Sequence, residues 1–238
     1  MIPRAVFFDM DDTLLNTSGG VEASWEVVCR EFAPALGCEW DTLRMAIREE
    51  MKHFWDDEAA VEREWRTRLV EAREHVIGLA LNGQALDSSL ASRISTRYWE
   101  ENSSRIRLFD DSLETLTLLR DAGFNVGLIT NGPSDMQRWK LARFGLEPYF
   151  DVLVIEGEFG HGKPSRKVFE HALAAVGAHC HEAWHVGDNL YADIGGAKAA
   201  GIHAAWIHRD RLELGESPKA IPDRVIAHLP ELREALGL

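Results

Sequence analysis

The sequence of 238 residues is poor in cysteine: Cys29, Cys38 and Cys180 are scattered along it, and no CxxC pair occurs. An odd, scattered set argues against a disulfide framework and favours a reducing compartment. Basic residues are also scarce, because 26 Lys and Arg face 39 Asp and Glu, which gives a formal net charge of −13. This acidity argues against nucleic acid or an anionic membrane as a default partner.

Long hydrophobic runs are missing as well. No stretch is apolar enough to span a bilayer, and the beginning of the chain shows no basic region followed by an apolar run and a small-residue cleavage site. We therefore expect a cytoplasmic protein without a membrane partner. The hydrophobic fraction of 45% and the charged fraction of 27% are ordinary for a globular protein. A chain of this length can bury the core of one domain, or of one domain plus a smaller one.

The most informative stretch reads AVFFDMDDT and runs from Ala5 to Thr13. Its four apolar residues predict a buried strand. Residues two apart in an extended chain point the same way, so Asp9 and Asp11 should project to one side just past the strand. Open α/β sheets bind ligands at that edge. Neighbouring carboxylates repel, and a divalent cation would relieve the repulsion, although a plain polar turn would also explain the acidic residues.

Helical spacing dominates the next part of the chain, where apolar residues recur every three to four positions among many charges. The predicted helices cover 21–36, 40–55, 58–81 and 86–101. We expect a helical cap domain at 16–105, inserted into a core formed by 1–15 and 106–238, with Asn16 capping the first helix. The chain crosses twice at nearly one place, which predicts a hinge and a lid over the Asp9 edge.

Strands and helices alternate in the remainder of the chain. Helices are predicted at 112–121, 133–144, 164–176 and 190–200, and strands at 124–129, 152–155, 183–186, 204–207 and 225–226, with a final helix. This alternation predicts an α/β fold, with a doubly wound parallel sheet and helices on both of its faces.

Four polar clusters follow the predicted strands or loops. They are DMDDT at 9–13, TNG at 130–132, GK at 162–163 and GDNLYAD at 187–193. Because all strand ends of a parallel sheet face one edge, we expect the clusters to converge there. Each cluster is weak evidence alone, whereas their ordered combination is strong. The residue types suggest phosphoryl transfer through a covalent carboxyl phosphate.

Each residue of these clusters has an expected role. Asp9 is the candidate nucleophile, because a carboxylate can attack phosphorus and split a hard step in two. Asp11 can protonate the leaving alkoxide and then deprotonate the water that cleaves the acyl phosphate. A hydroxyl, an amide, backbone N–H groups and one fixed positive charge would bind the phosphoryl oxygens, from Thr130, Asn131, Gly132 and Lys163. Asp188 and Asp193 would add oxygen ligands for Mg²⁺.

In these motifs the sequence resembles the haloacid dehalogenase superfamily of aspartyl-phosphate phosphatases, in the branch with a helical cap between the first two motifs. The resemblance covers the whole chain. It implies a Rossmann-like core, dependence on Mg²⁺ and a small phosphorylated metabolite as substrate, such as a nucleoside monophosphate, a sugar phosphate or a phosphoglycolate-like acid. It also implies that the Asp9 side chain, the Asp11 backbone carbonyl and Asp188 hold the metal, with Asp193 as a further ligand or just behind the ligands.

Two other functions stay open at this point. A 2-haloacid dehalogenase would use Asp9 against carbon, but that branch lacks the second carboxylate of the first motif, so Asp11 favours a phosphatase. A phosphoryl-sensing module like a receiver domain also uses an Asp, an acidic pair, a Thr and a Lys, yet receivers are shorter and have no cap. The P-loop-like GEFGHGK at 157–163 is followed by Pro164, which opposes an NTPase. We expect a monomer or a homodimer.

Overall fold

The structure is a computed structural model that describes residues 3–56, 65–209 and 220–238. The chain forms two compact units, of which one comprises residues 1–16 and 108–238 and the other residues 17–107. We refer to them as the core and the cap. The sequence predicts boundaries at residues 15/16 and 105/106. Among the described helices, none combines the length and the hydrophobicity that a membrane span requires.

A six-stranded parallel sheet forms the centre of the core. The strands that the structure describes are β1 (Ala5–Phe8), β2 (Leu15–Asn16), β3 (Arg107–Leu108), β4 (Asn125–Thr130), β5 (Val152–Ile155), β6 (Ala183–Gly187), β7 (His203–Ile207) and β8 (Arg224–Ile226). In the large sheet their order is β5-β4-β1-β6-β7-β8. The predicted parallel sheet is therefore confirmed. The very short β2 and β3 were not predicted.

The strand β1 is buried along its whole length and lies between β4 and β6. Phe8 is in register with Leu128 of β4 and with Val186 of β6, so these three strands end at the same level of the sheet. A strand that is covered on both faces reads as a continuous apolar run, which explains the sequence AVFF. The polar residues after these strands consequently meet at one edge.

The cap consists of helices. Those that the structure describes are α1 (Val21–Leu36), α2 (Trp40–Asp56), α3 (Leu69–Gly83) and α4 (Ala91–Arg105). Residues 58–64 of the third predicted helix lie outside the described part of the chain. The fourth helix begins later than predicted because Asp87 caps a separate short turn, Ser88–Leu90, by accepting a hydrogen bond from the Ser89 N–H. The prediction for Asn16 is wrong, since Asn16 belongs to β2 and α1 begins after Gly20.

Helices flank the sheet of the core. They are α5 (Ser112–Asp121), α6 (Ser134–Phe144), α7 (Glu156–Phe159), α8 (Arg166–Val176), α9 (Gly196–Ala199) and α10 (Leu232–Leu236). Phe169 of α8 packs with Phe7 and Ile129 in the main hydrophobic cluster. The predicted helix at 190–200 begins instead as one turn of π-helix, Leu190–Gly195, in which the Ile194 N–H bonds the Asn189 carbonyl five residues back at 3.2 Å.

Candidate active site

Lys163 lies between two buried carboxylates at the carboxyl edge of the sheet. Its Nζ donates a hydrogen bond of 2.5 Å to Asp9 Oδ1 and lies 2.6 Å from Asp193 Oδ1. Only 2% of the Lys163 surface and 7% of the Asp9 surface are exposed, so all three groups interact in a medium of low polarity. The predicted convergence of the first, third and fourth clusters is therefore present in the structure.

Burial and charge shift the pKa values of these three groups in different directions. Burial raises the pKa of Asp9 to about 7, although Lys163 opposes the shift. Burial alone would lower the pKa of Lys163, but Asp193 and Asp9 outweigh it and raise this pKa. Burial would likewise raise the pKa of Asp193, yet Lys163 and His185 hold it at about 2. Lys163 is thus charged, and Asp193 is its ionised counterpart.

Three carboxylates at this edge could hold a cation. Oxygen atoms of Asp9, Asp188 and Asp193 lie within 4.8 Å of one another. Lys163 supplies one positive charge against these three, so two negative charges remain when all are ionised. Burial, followed by the charges of Asp9 and Asp193, raises the pKa of Asp188 to about 8. An all-oxygen group with two excess negative charges fits a hard divalent cation such as Mg²⁺.

Asp193 is more strongly engaged by protein groups than the other two carboxylates. Its Oδ1 faces both Lys163 and His185 Nε2, at 2.6 and 2.9 Å, and its Oδ2 accepts the Asn189 N–H at 3.0 Å. The backbone of β6 passes so close that a Cβ on Gly187 would overlap the Asp193 carboxyl group. Both oxygens of Asp193 therefore have protein partners, which favours a role in orienting Lys163 over one as a direct metal ligand.

The residues of the second cluster, TNG at 130–132, each have different hydrogen-bonding partners. Thr130 Oγ1 is buried and accepts a hydrogen bond of 2.6 Å from Gln137 Nε2, so its own proton stays available to an oxygen of a ligand. The Asn131 side chain bonds the backbone of Lys163 twice, through Oδ1 at 2.7 Å and Nδ2 at 2.9 Å. The Gly132 N–H donates to Glu156 Oε2 at 2.9 Å. The Asn131 amide and the Gly132 N–H, which the sequence predicts to bind phosphate, therefore form bonds within the protein that hold the loop.

Asp11 points toward α6, where two residues that the sequence did not single out bind it. Lys140 Nζ lies 2.7 Å from both carboxylate oxygens, and Gln137 Nε2 donates to Asp11 Oδ2 at 3.1 Å. The sequence offers one signal for them, because Gln137 and Lys140 are three residues apart and hence share a helix face. A lysine on an amphipathic helix is ordinarily solvated, so this signal is weak.

The turn after Asp9 is held from the other side by Arg209. The Arg209 guanidinium lies 3.5 Å above the Phe109 ring, pairs with both oxygens of Asp111 at 3.1 Å, and donates to the Thr13 carbonyl at 3.0 Å. Phe109 thus provides the aromatic face for a cation–π contact. These contacts fix the backbone that follows the acidic motif.

The six-stranded parallel sheet, with polar and ionised groups gathered at its carboxyl edge, is the architecture of an α/β enzyme. A family model described as haloacid dehalogenase-like hydrolase matches residues 3–201. The chain therefore belongs to this family of hydrolases, as the sequence predicts.

Curated relatives are named phosphatases. A phosphoserine phosphatase of Thermus thermophilus is 37% identical over 166 residues, which are 69% of this chain and 66% of that protein. A glyceraldehyde 3-phosphate phosphatase of Pyrococcus furiosus is 28% identical over 98% of this chain and 92% of that protein. The prediction of a phosphatase is confirmed at this level.

Solved structures share the fold over nearly the full chain. A haloacid dehalogenase-type phosphatase from Thermococcus onnurineus superposes with a TM-score of 0.69, at 28% identity and 98% coverage of both chains. A 2-haloacid dehalogenase from Pseudomonas syringae gives 0.66, also at 28% identity, and covers 100% of this chain and 99% of that one. Proteins named as a phosphatase and as a 2-haloacid dehalogenase thus share this architecture.

Proposed function

We propose that this protein is a magnesium-dependent phosphatase that hydrolyses a small phosphorylated metabolite through a phosphoryl group carried on Asp9. The observation that carries the proposal is the position of the Lys163 ammonium, which bonds Asp9 while Asp188 lies in the same group of carboxylates. A nucleophilic carboxylate, a fixed cation and a free ligand oxygen are the components that phosphoryl transfer needs.

In the first step a carboxylate oxygen of Asp9 attacks phosphorus, and the bond from phosphorus to the ester oxygen breaks. The leaving alkoxide takes a proton from Asp11, so the alcohol departs neutral. Lys163 and the Thr130 hydroxyl stabilise the negative charge that develops on the phosphoryl oxygens. Lys163 also opposes protonation of Asp9, because its charge lowers the pKa that burial raises.

In the second step water attacks phosphorus and releases Asp9. Asp11, which lost its proton in the first step, now takes one from this water. The bond between phosphorus and the Asp9 oxygen breaks, and inorganic phosphate is the product. The Asp11 carboxyl group therefore regains its proton in each turnover, and no other proton carrier is needed.

The metal would be held by Asp9 and Asp188, with Asp193 behind them and a backbone oxygen of Asp11 as the resemblance to the family implies. Mg²⁺ supplies positive charge to the phosphoryl group and orients it against the nucleophile. Trp206 stabilises this part of the site from β7, since its Nε1 donates to the Asp188 carbonyl at 2.6 Å. The Asp188 backbone is thereby attached to β7.

The names of the relatives support a small substrate. They are phosphatases of phosphoserine, glyceraldehyde 3-phosphate and ribulose 1,5-bisphosphate, which all are small phosphorylated metabolites. The three cysteines are free thiols, which supports a reducing, cytoplasmic setting. The dehalogenase alternative has a structural neighbour, but Asp11 and its two hydrogen-bonding partners give this chain an acid/base group that attack on carbon does not require.

Release of inorganic phosphate from a panel of phosphorylated metabolites tests the proposal. We expect turnover with Mg²⁺, none after exhaustive chelation, and none in Asp9→Asn. The exposed Asp121, at the end of α5, provides the matched control, because Asp121→Asn removes the same charge outside the site. Retained turnover in Asp9→Asn contradicts the nucleophile. Halide release from a 2-haloacid without metal, together with no phosphate release, assigns the dehalogenase reaction instead.

A further inference from the structure

Lys140 is a second buried lysine of the core, and it pairs with Asp11, a carboxylate that Lys163 does not contact. Its residue surface is 7% exposed. The three protons of its ammonium group match three acceptors, namely the two oxygens of Asp11 at 2.7 Å and Gln137 Oε1 at 2.8 Å. The hydrogen-bonding capacity of Lys140 is therefore used completely within this site.

Gln137 connects this pair to the phosphate-binding end of β4. Its Nε2 lies 3.1 Å from Asp11 Oδ2, 2.6 Å from Thr130 Oγ1 and 2.8 Å from the Asn131 carbonyl. Its Oε1 accepts from Lys140. One amide thus fixes the distance between the Asp11 carboxylate and the Thr130 hydroxyl.

Removing an ammonium group from water costs free energy, and a cation on α6 can also be placed at the protein surface. Arg138 of the same helix extends toward the surface and pairs there with Glu158 and Glu147, with 40% of its side chain exposed. Lys140 instead gives up hydration to reach Asp11, whose side chain keeps 33% exposure. A buried ion pair is weak evidence for stability, because an apolar pair of similar volume is often as stable. The arrangement points to a use in the reaction.

We propose that Lys140 is a positioning residue, which together with Gln137 holds the Asp11 carboxylate in register with the bound phosphoryl group. This inference rests on the proposed function, in which Asp11 protonates the leaving oxygen. A general acid acts only within hydrogen-bond reach of its target, and displacement by about 1 Å can cost a hundredfold in rate. Loss of Lys140 therefore weakens proton transfer through Asp11, both to the leaving oxygen in the first step and from water in the second.

The leaving group separates this effect from general damage. The parameter kcat/KM reports the steps up to release of the alcohol. An alkyl phosphate such as glycerol 3-phosphate needs its leaving oxygen protonated, whereas p-nitrophenyl phosphate has a good leaving group and does not. We expect Lys140→Met to lower kcat/KM for the alkyl ester about tenfold more than for the aryl ester, as a fraction of the 10²–10⁴-fold contribution of a general acid.

Asp11→Asn should show the same selectivity to a larger degree, and the double variant should equal Asp11→Asn alone, because Lys140 acts through Asp11. Arg138→Met, which removes a surface cation from the same helix, should leave kcat/KM for both esters unchanged. If Lys140→Met does not fold, Gln137→Met provides the test, since it removes one bond to Asp11 and leaves the ion pair; we expect the same selectivity.

Each outcome has a distinct meaning. Equal loss for both esters, or additivity with Asp11→Asn, overturns the role of Lys140 in positioning. If Asp11→Asn itself shows no selectivity for the leaving group, the acid/base assignment of the proposed function fails. Selectivity in Asp11→Asn without selectivity in the Lys140 and Gln137 variants overturns only the present inference.

Discussion

Replacing Lys163 by methionine removes the ammonium group between Asp9 and Asp193. The methionine side chain has nearly the same volume as the lysine that it replaces. The two carboxylates then lie buried without the cation that bonds them at 2.5 and 2.6 Å. Removal of one partner from a buried ion pair costs about 3–5 kcal/mol of unfolding free energy. For a chain of this size, each kcal/mol lowers Tm by about 2–4 °C, so we expect a loss on the order of 10 °C.

The pH dependence of this loss is specific to the proposed charges. Asp9 already has a pKa raised to about 7, and Lys163 lowers it, so the variant should hold the proton to a still higher pH. A carboxyl group with a raised pKa in the folded state contributes stability at low pH that disappears as the pH rises through that value. The variant should therefore lose less stability near about pH 6 than near about pH 8.

Thermal melting of the chelated protein at these two pH values measures the effect. Lys198→Met is the matched control, because Lys198 bonds Asp223 at 2.7 and 2.8 Å but keeps 40% of its side chain exposed. A surface pair of this kind contributes about 0–1 kcal/mol. If Lys163→Met melts like Lys198→Met, or if its loss of Tm is the same at both pH values, Lys163 does not compensate buried negative charge.

Three further predictions concern the same site. The affinity for Mg²⁺, measured by titration calorimetry, should fall about tenfold for each pH unit below about pH 8, because Asp188 has a pKa raised to about 8 and must lose one proton to bind the metal. An affinity that does not change with pH contradicts the role of Asp188 as a ligand. Asn131→Ala should lose about 1–3 kcal/mol in denaturant unfolding, since two hydrogen bonds to the Lys163 backbone disappear, and unchanged stability would remove its holding role. Gly187→Ala should displace the Asp193 carboxyl group and lower both Tm and phosphate release; a variant that melts and turns over like the native protein would show that β6 has room for a side chain.

Hydrophobic periodicity was sufficient to predict the large elements of this fold. The helix at 112–121 and the strand at 152–155 have the predicted bounds, because each is delimited by residues that favour turns or by a change of period. The π-turn after Asn189 and the two-residue strands escaped prediction. They depend on side-chain capping and on backbone approach between segments distant in sequence, which one-dimensional periodicity does not contain.

The acidic and basic groups around Asp9 were predictable because strand ends of a parallel sheet share an edge. The separate contacts that each of these groups makes were not predictable. Asn131 and Gly132 follow β4 like phosphate-binding groups, but their hydrogen bonds to Lys163 and Glu156 depend on residues that lie 32 and 24 positions further along the chain. Lys140 is likewise indistinguishable in sequence from a solvated lysine, and only its burial against Asp11 reveals it.

The central place of β1 in the sheet has a consequence for the order of assembly. Its neighbours on either side, β4 and β6, follow it by more than one hundred residues, whereas the contacts among the cap helices stay within residues 17–107. Closure of such long loops is slow, while local helical contacts form early. A nascent chain therefore builds the inserted helices first, and the strand that precedes Asp9 waits without partners until most of the polypeptide has been made.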